Sequence, residues 1–353
     1  MNKTFSLYLD VVRFLAAMGV FISHLVMPRW TSGFFPEGLA KTINLTGVDL
    51  VMVFFVLSGF VIAYTVHVKD HNWEAYAFNR GTRIYSVAIP AIIFTFLLDN
   101  AGISFNPADY DGWWYADHSL LNLLVRGLTF SNEFWQWEFR IGSNGPYWSL
   151  GYEVWYYVLF GILAFGHGWT RIVAFTMIAL LVGPAVWLLA PVWAMGVVLY
   201  WAYRRGWLTP GPSAGSFVLG AVAAVAPVAI YGALRLSIGN DLVNVGGEAV
   251  LRATGLLGTV GRAETFLWFW VVGALVTMHF IGVALLVQNV KVGVPHTAST
   301  FIRWLAGGSF SIYLIHYPAM HAIDAMMIGE TGDAGDGAGD CDPHFLLLVR
   351  GNL

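Results

Sequence analysis

The sequence predicts an all-α, polytopic integral membrane protein with about nine to ten transmembrane helices and a cytoplasmic N-terminus. Three observations predict it. Of 353 residues, 58% are hydrophobic and only 11% charged, against about 25% charged in ordinary soluble domains. The mean hydropathy is +0.65. Apolar runs of about 20 residues recur, without the roughly ten-residue alternation of membrane barrels, so the spans are helices whose backbone groups bond internally. A net charge of −3 gives nucleic acid no basic surface. The single cysteine, Cys341, rules out an intramolecular disulfide and a cysteine metal cluster, and no metal site is expected.

In chain order the expected spans lie near 5–28, 47–67, 84–103, 148–166, 171–189, 190–204, 216–236, 264–287 and 309–328. The first is not a cleavable signal, because its basic region is a lone Lys3 and its apolar run is interrupted by Asp10 and Arg13. The fifth and sixth are short, and Ala190-Pro191 is expected to form the turn between them. Basic residues in short loops set the orientation. With the N-terminus inside, Lys3, Lys69, Arg80, Arg83, Arg204 and Arg205 all face the cytoplasm. The opposite side receives the acid-rich loop 104–147, with its aromatic runs YDGWWY and FWQWEF. Those runs suit an interfacial belt, with a few rings left to line an acceptor cleft. After Ile328 comes GETGDAGDGAGDCDPHF, a Gly/Asp-rich tail expected to be disordered. The expected division is therefore 1–328 membrane domain and 329–353 tail.

An ionisable residue inside a span is costly and so marks function by default. Asp10, Arg13 and His24 sit in the first span. Asp10 and Arg13 are three apart and can pair. Arg13 and His24 are eleven apart, which returns to nearly the same helix face roughly 16 Å further along the axis. Both are expected to look into the bundle interior. The second span carries Asp49 near its outer end, free to cap the helix, and Ser58-Gly59, small enough for close helix packing. Arg80 and Arg83 precede the third span, where arginine's fork suits phosphate. Glu153 in the fourth span has no cheap structural reason to be there. Tyr313 and His316 lie in the ninth, and His279 in the eighth suits a satisfied core histidine.

With those residues in hand, the chain resembles membrane-bound acyltransferase family 3, the integral-membrane O-acyltransferases. The matching stretches are LDVVRFLAAMGVFISH (9–24), GVDLVMVFFVLSGFVI (47–62), NRGTRIY (79–85), YWSLGYEVWYYVLFG (147–161) and SFSIYLIHYP (309–318). Arginine and histidine eleven apart in the first span is the most specific of these. The resemblance implies transfer of an acyl group, often acetyl, from cytoplasmic acyl-coenzyme A (acetyl-CoA) to a hydroxyl. Implied acceptors are sugars of cell-surface polymers or glycosylated small molecules, which places the chain in the plasma or inner membrane. It implies His24 as the essential histidine and Arg13 as a residue engaging the donor. Arg80 and Arg83 match the family's arginine pair, and Glu153 its glutamate. The chain departs from the family at Ser86, where a proline is usual, and at Phe310, where a tyrosine is common. The last family span, expected after residue 328, is replaced by the Gly/Asp tail.

A thioester is already activated, so the catalyst must position it and take a proton from the acceptor hydroxyl. An imidazole suits that task, contributing about 10²–10⁴-fold. His24 is expected to act as that base or to accept the acyl group itself. Arg13, Arg80 and Arg83 are expected to hold the donor's phosphates, with Asp10 or Glu153 orienting them. The rival from another class is a transporter with a proton or anion path. It ranks lower, because no internal repeat is visible.

Overall fold

The structure is a computed structural model that describes residues 2–111, 115, 119–135, 139–237, 239–289 and 293–331. Regular structure among them is helical, with one isolated bridge between Ile141 and Asn144. The chain opens with α1 (Lys3–Leu25), whose first turn is capped by the Asn2 side chain accepting from the Thr4 N–H at 2.8 Å. A single turn, α2 (Pro28–Thr31), ends in left-handed Ser32. Two long helices follow, α3 (Glu37–Val68) and α4 (Trp73–Phe105), the latter capped by Asn72. After α5 (Leu120–Thr129) come α6 (Trp148–Phe165), α7 (Gly168–Val182) and α8 (Pro184–Arg204). The remainder is α9 (Ala214–Leu236), α10 (Gly239–Thr254), α11 (Phe266–Asn289) and α12 (His296–Thr331).

Every expected span has a helix at its place, and the chain is a multi-pass membrane protein. By length and composition, however, six segments qualify as membrane-crossing helices among the described residues: α1, α3, α4, α8, α9 and the segment ending in α11. Helix α7 is only 15 residues long, and α6, at 18, carries Ser149, Glu153 and several tyrosines. Helix α12 is longer but dilutes its apolar residues with His316, His321 and Asp324.

Four boundaries differ from expectation. Helix α3 starts ten residues earlier, so Asp49 lies well inside it and caps nothing. Helix α4 includes Arg80 and Arg83 rather than following them, and Ser86 and Pro90 sit inside it without a break. The turn between the fifth and sixth spans falls at Gly183, not at Ala190-Pro191. Gly183 has φ +80°, and a Cβ there would lie 2.8 Å from the Trp135 backbone nitrogen, so only glycine fits. Pro184 then occupies the first helical position, where its missing N–H costs nothing, while Pro191 is absorbed within α8. Helix α12 continues to Thr331 rather than ending at 328. Cys341 and most of the Gly/Asp tail lie outside the described residues, as do 112–114, 116–118 and 136–138 of the aromatic loop.

Helix α1 packs between α3 and α12, α3 packs on α8, α12 on α4 and α9 on α11. The α3–α8 crossing is close. A Cβ on Gly59 would lie 2.0 Å from the Trp193 carbonyl oxygen, and one on Gly196 1.9 Å from that of Val56. The two backbones therefore touch, as small residues in membrane helices permit. A second tether positions the loop before α6. The carboxylate of Asp99 on α4, fully buried, accepts from the Ser143 N–H at 2.9 Å and from its hydroxyl. Asn144 donates to the Leu314 carbonyl at 2.8 Å and to the Thr95 hydroxyl at 3.0 Å. Segment 139–147 is thereby fastened to α4 and α12.

Candidate functional site

The polar residues inside the spans gather around two cavities. The smaller, of about 100 Å³, lies among α1, α3, α4, α6 and α12 and is lined by Asp10, Arg13, Ser58, Arg83, Glu153 and Tyr313, among others. Arg13 and Asp10 pair at 3.2 Å, as their spacing predicts. Opposite them, Ser58 donates to Glu153 at 2.6 Å, and Tyr157 donates to the same carboxylate oxygen. The Trp193 indole in turn donates to the Ser58 hydroxyl at 3.2 Å. Glu153 is thus held by two hydroxyls from α3 and α6, with α8 bracing one of them. Two cationic side chains, Arg13 and Arg83, share this cavity with two carboxylates.

Arg80 is not with them. Its guanidinium lies 3.7 Å from buried Asp70, which also accepts from Asn79 at 2.6 Å. Asp70 sits in the turn between α3 and α4, so Arg80 closes that turn instead of lining the cavity.

The larger cavity, of about 530 Å³, lies at the other end of α1 and contains His24. Tyr313 lines both cavities. Its hydroxyl, bonded to Ser149 at 2.8 Å, also donates to the Pro146 carbonyl at 3.1 Å, which fixes it in place. Arg13 and His24 lie on one face of α1 by their spacing, but they line two separate cavities, with Tyr313 in the wall of both, rather than one.

His24 is held by α12. The His316 Nδ1 lies 3.0 Å from the Ile312 carbonyl oxygen. A carbonyl only accepts, so in the neutral ring Nδ1 carries the proton and Nε2 is an acceptor. That Nε2 lies 2.8 Å from His24 Nδ1, which must donate. The two ring planes are within 15° of parallel with centroids 5.1 Å apart, as that in-plane bond requires, and the Tyr317 ring meets His24 edge-on at 4.8 Å. This chain of bonds leaves Nε2 as the unprotonated nitrogen of His24. No cluster of three or more His, Cys, Asp or Glu able to hold a metal ion occurs among the described residues.

The family model for the acyltransferase domain matches residues 6–330 of this arrangement. The chain belongs to acyltransferase family 3. No curated protein and no solved structure matches it. Membership makes the chain an acyltransferase, a transferase of groups other than amino-acyl groups, and its multi-pass helices agree with a membrane enzyme.

Other members of the two cavities were not singled out in the sequence. Arg140 and Arg262 line the larger one, with Lys41 from α3, yet in sequence they are ordinary loop or helix-end cations. Tyr157 was signalled only by lying one helical turn beyond Glu153. Asp49 anchors a buried knot in the wall of the larger cavity. It pairs with Arg235 at 3.3 Å and accepts from Tyr231 at 2.8 Å and Trp268 at 2.7 Å, joining α3, α9 and α11. His279 is satisfied as expected, bonded to the Ala224 carbonyl at 2.6 Å and to the Tyr8 hydroxyl.

Proposed function

We propose that this acyltransferase moves an acyl group, with acetyl as the first to test, from cytoplasmic acyl-coenzyme A to a hydroxyl of a sugar. The sugar belongs to a cell-surface glycan or a glycosylated small molecule. The N-terminus faces the cytoplasm and the chain resides in the plasma or inner membrane. The observation that carries this reading is the placement of the His24 ring in the wall of the larger cavity, its Nδ1 2.8 Å from His316 Nε2 and its Nε2 left to accept a proton.

In this reading Arg13 and Arg83 engage the donor's phosphates at the smaller cavity, since a guanidinium presents its N–H groups in a fork suited to phosphate oxygens. Asp10 and Glu153 balance their charge and keep both side chains in place. Arg80 supports the site only through the α3–α4 turn. The pantetheine arm passes Tyr313 toward His24, and the acceptor enters from the larger cavity. His24 Nε2 takes the proton of the acceptor hydroxyl as its oxygen attacks the thioester carbonyl. The C–S bond then breaks, and the departing thiolate receives that proton. His316 holds His24 in the required tautomer and orientation.

The test is transfer of radiolabelled acetyl from acetyl-CoA in membranes containing wild type, Arg13→Ala or His24→Ala. Label in a hydroxyl ester with wild type only is the expected result. Equal labelling in all three contradicts the assignment of both residues.

A further inference from the structure

Helix α10 belongs to none of the spans expected from the sequence, and its two sides differ. Asn240, Asp241, Asn244 and Glu248 fall within about 100° of one another around the helix, and all four line the larger cavity that contains His24. On the other side Leu242 and Val250 are exposed, at 64% and 47%. In a membrane protein such a helix rests its apolar side against lipid at the interface. The cavity is also lined by Trp148, Trp268, Phe269 and Tyr317. Carboxylates and amides beside aromatic rings are the groups that bind polyhydroxylated molecules, the former through hydroxyls and the latter through C–H faces. Asn244 supplies a second observation: its Oδ1 is buried without a hydrogen-bond partner. A buried acceptor left unbonded costs about 1–3 kcal/mol unless a ligand donates to it.

We infer that α10 is the acceptor-selecting wall of the enzyme, with Asn244 and Glu248 accepting hydrogen bonds from the hydroxyls of a sugar whose reacting hydroxyl reaches His24. This rests on the proposed sugar acceptor and adds the residues that choose it. Neither group takes part in the chemical step, so both act on acceptor affinity and leave the donor untouched.

The test is equilibrium binding of tritiated methyl glucoside, methyl galactoside and methyl rhamnoside to the purified full chain in lipid nanodiscs, with acetyl transfer from acetyl-CoA assayed in the same preparations. Wild type is expected to hold one of the three in preference to the others. Asn244→Leu and Glu248→Leu are expected to weaken that binding about tenfold or more, the loss of a well-made hydrogen bond. Asn244→Asp keeps an acceptor oxygen in place and is expected to retain binding, which separates recognition from misfolding. Binding by none of the sugars, or equal binding by all variants, overturns the inference. Binding that depends on α10 without any use of acetyl-CoA supports the inference and instead removes the proposed donor.

Discussion

His316 Nε2 stands 2.8 Å from His24 Nδ1, although 292 positions separate the two residues in sequence. The contact exists because α12 packs along α1, and its direction is set by the Ile312 carbonyl beneath His316. His316 is therefore a positioning residue for His24. His316→Ala is expected to lower kcat by about tenfold to a hundredfold, the range typical of a lost orienting partner, while donor KM stays unchanged. His316→Gln, which retains an acceptor, should recover part of the loss. A change confined to donor KM would count against this role.

Arg80 and Arg83 lie three residues apart yet do different work. Arg83→Ala should raise KM for acyl-coenzyme A and leave thermal stability within about 0.5 kcal/mol of wild type. Arg80→Ala should leave donor KM alone and lower the melting temperature, because Asp70 is then buried without its cation. Titrating donor in both variants, beside a thermal melt, checks the pair of expectations.

The Asp49–Arg235 pair is almost wholly removed from solvent, with side chains 3% and 8% exposed. Breaking it from one side leaves a buried charge alone, at a cost of about 3–5 kcal/mol. Asp49→Ala is therefore expected to destabilise strongly. The double variant Asp49→Ala, Arg235→Met should be less destabilised than the two single changes summed, which a double-mutant cycle by thermal denaturation reads directly.

The α3–α8 contact predicts a folding defect rather than a catalytic one. Gly196→Val forces a side chain into the Val56 carbonyl and should cost more than the about 1–3 kcal/mol of ordinary overpacking. The expected readout is loss of the monodisperse peak in size-exclusion chromatography. A normally eluting variant with full activity would contradict the close approach.

Much of this molecule was legible from residue spacing alone. The eleven-residue step from Arg13 to His24 fixed their shared face, and the three-residue step from Asp10 to Arg13 fixed their pairing, because both depend only on helix geometry. Ser58-Gly59 announced a close crossing for the same reason. What could not be read was set by tertiary packing. Nothing local to His24 announces His316 as its partner. Nothing near Arg80 distinguishes it from Arg83 until Asp70 is folded against it. The break at Gly183 was misplaced at Pro191 because proline marks a turn in sequence, whereas a membrane helix tolerates it and a glycine with positive φ does the turning. Helix α10 escaped notice because its polar face looks like a loop until the cavity it lines is in view.

The account turns on His24 acting as the base in the larger cavity, and one measurement tests that most directly: the single-turnover rate of acetyl transfer by wild type and His24→Ala at saturating acetyl-CoA. The account predicts a loss of about 10²–10⁴-fold with unchanged donor binding. A His24→Ala rate equal to that of wild type would contradict it.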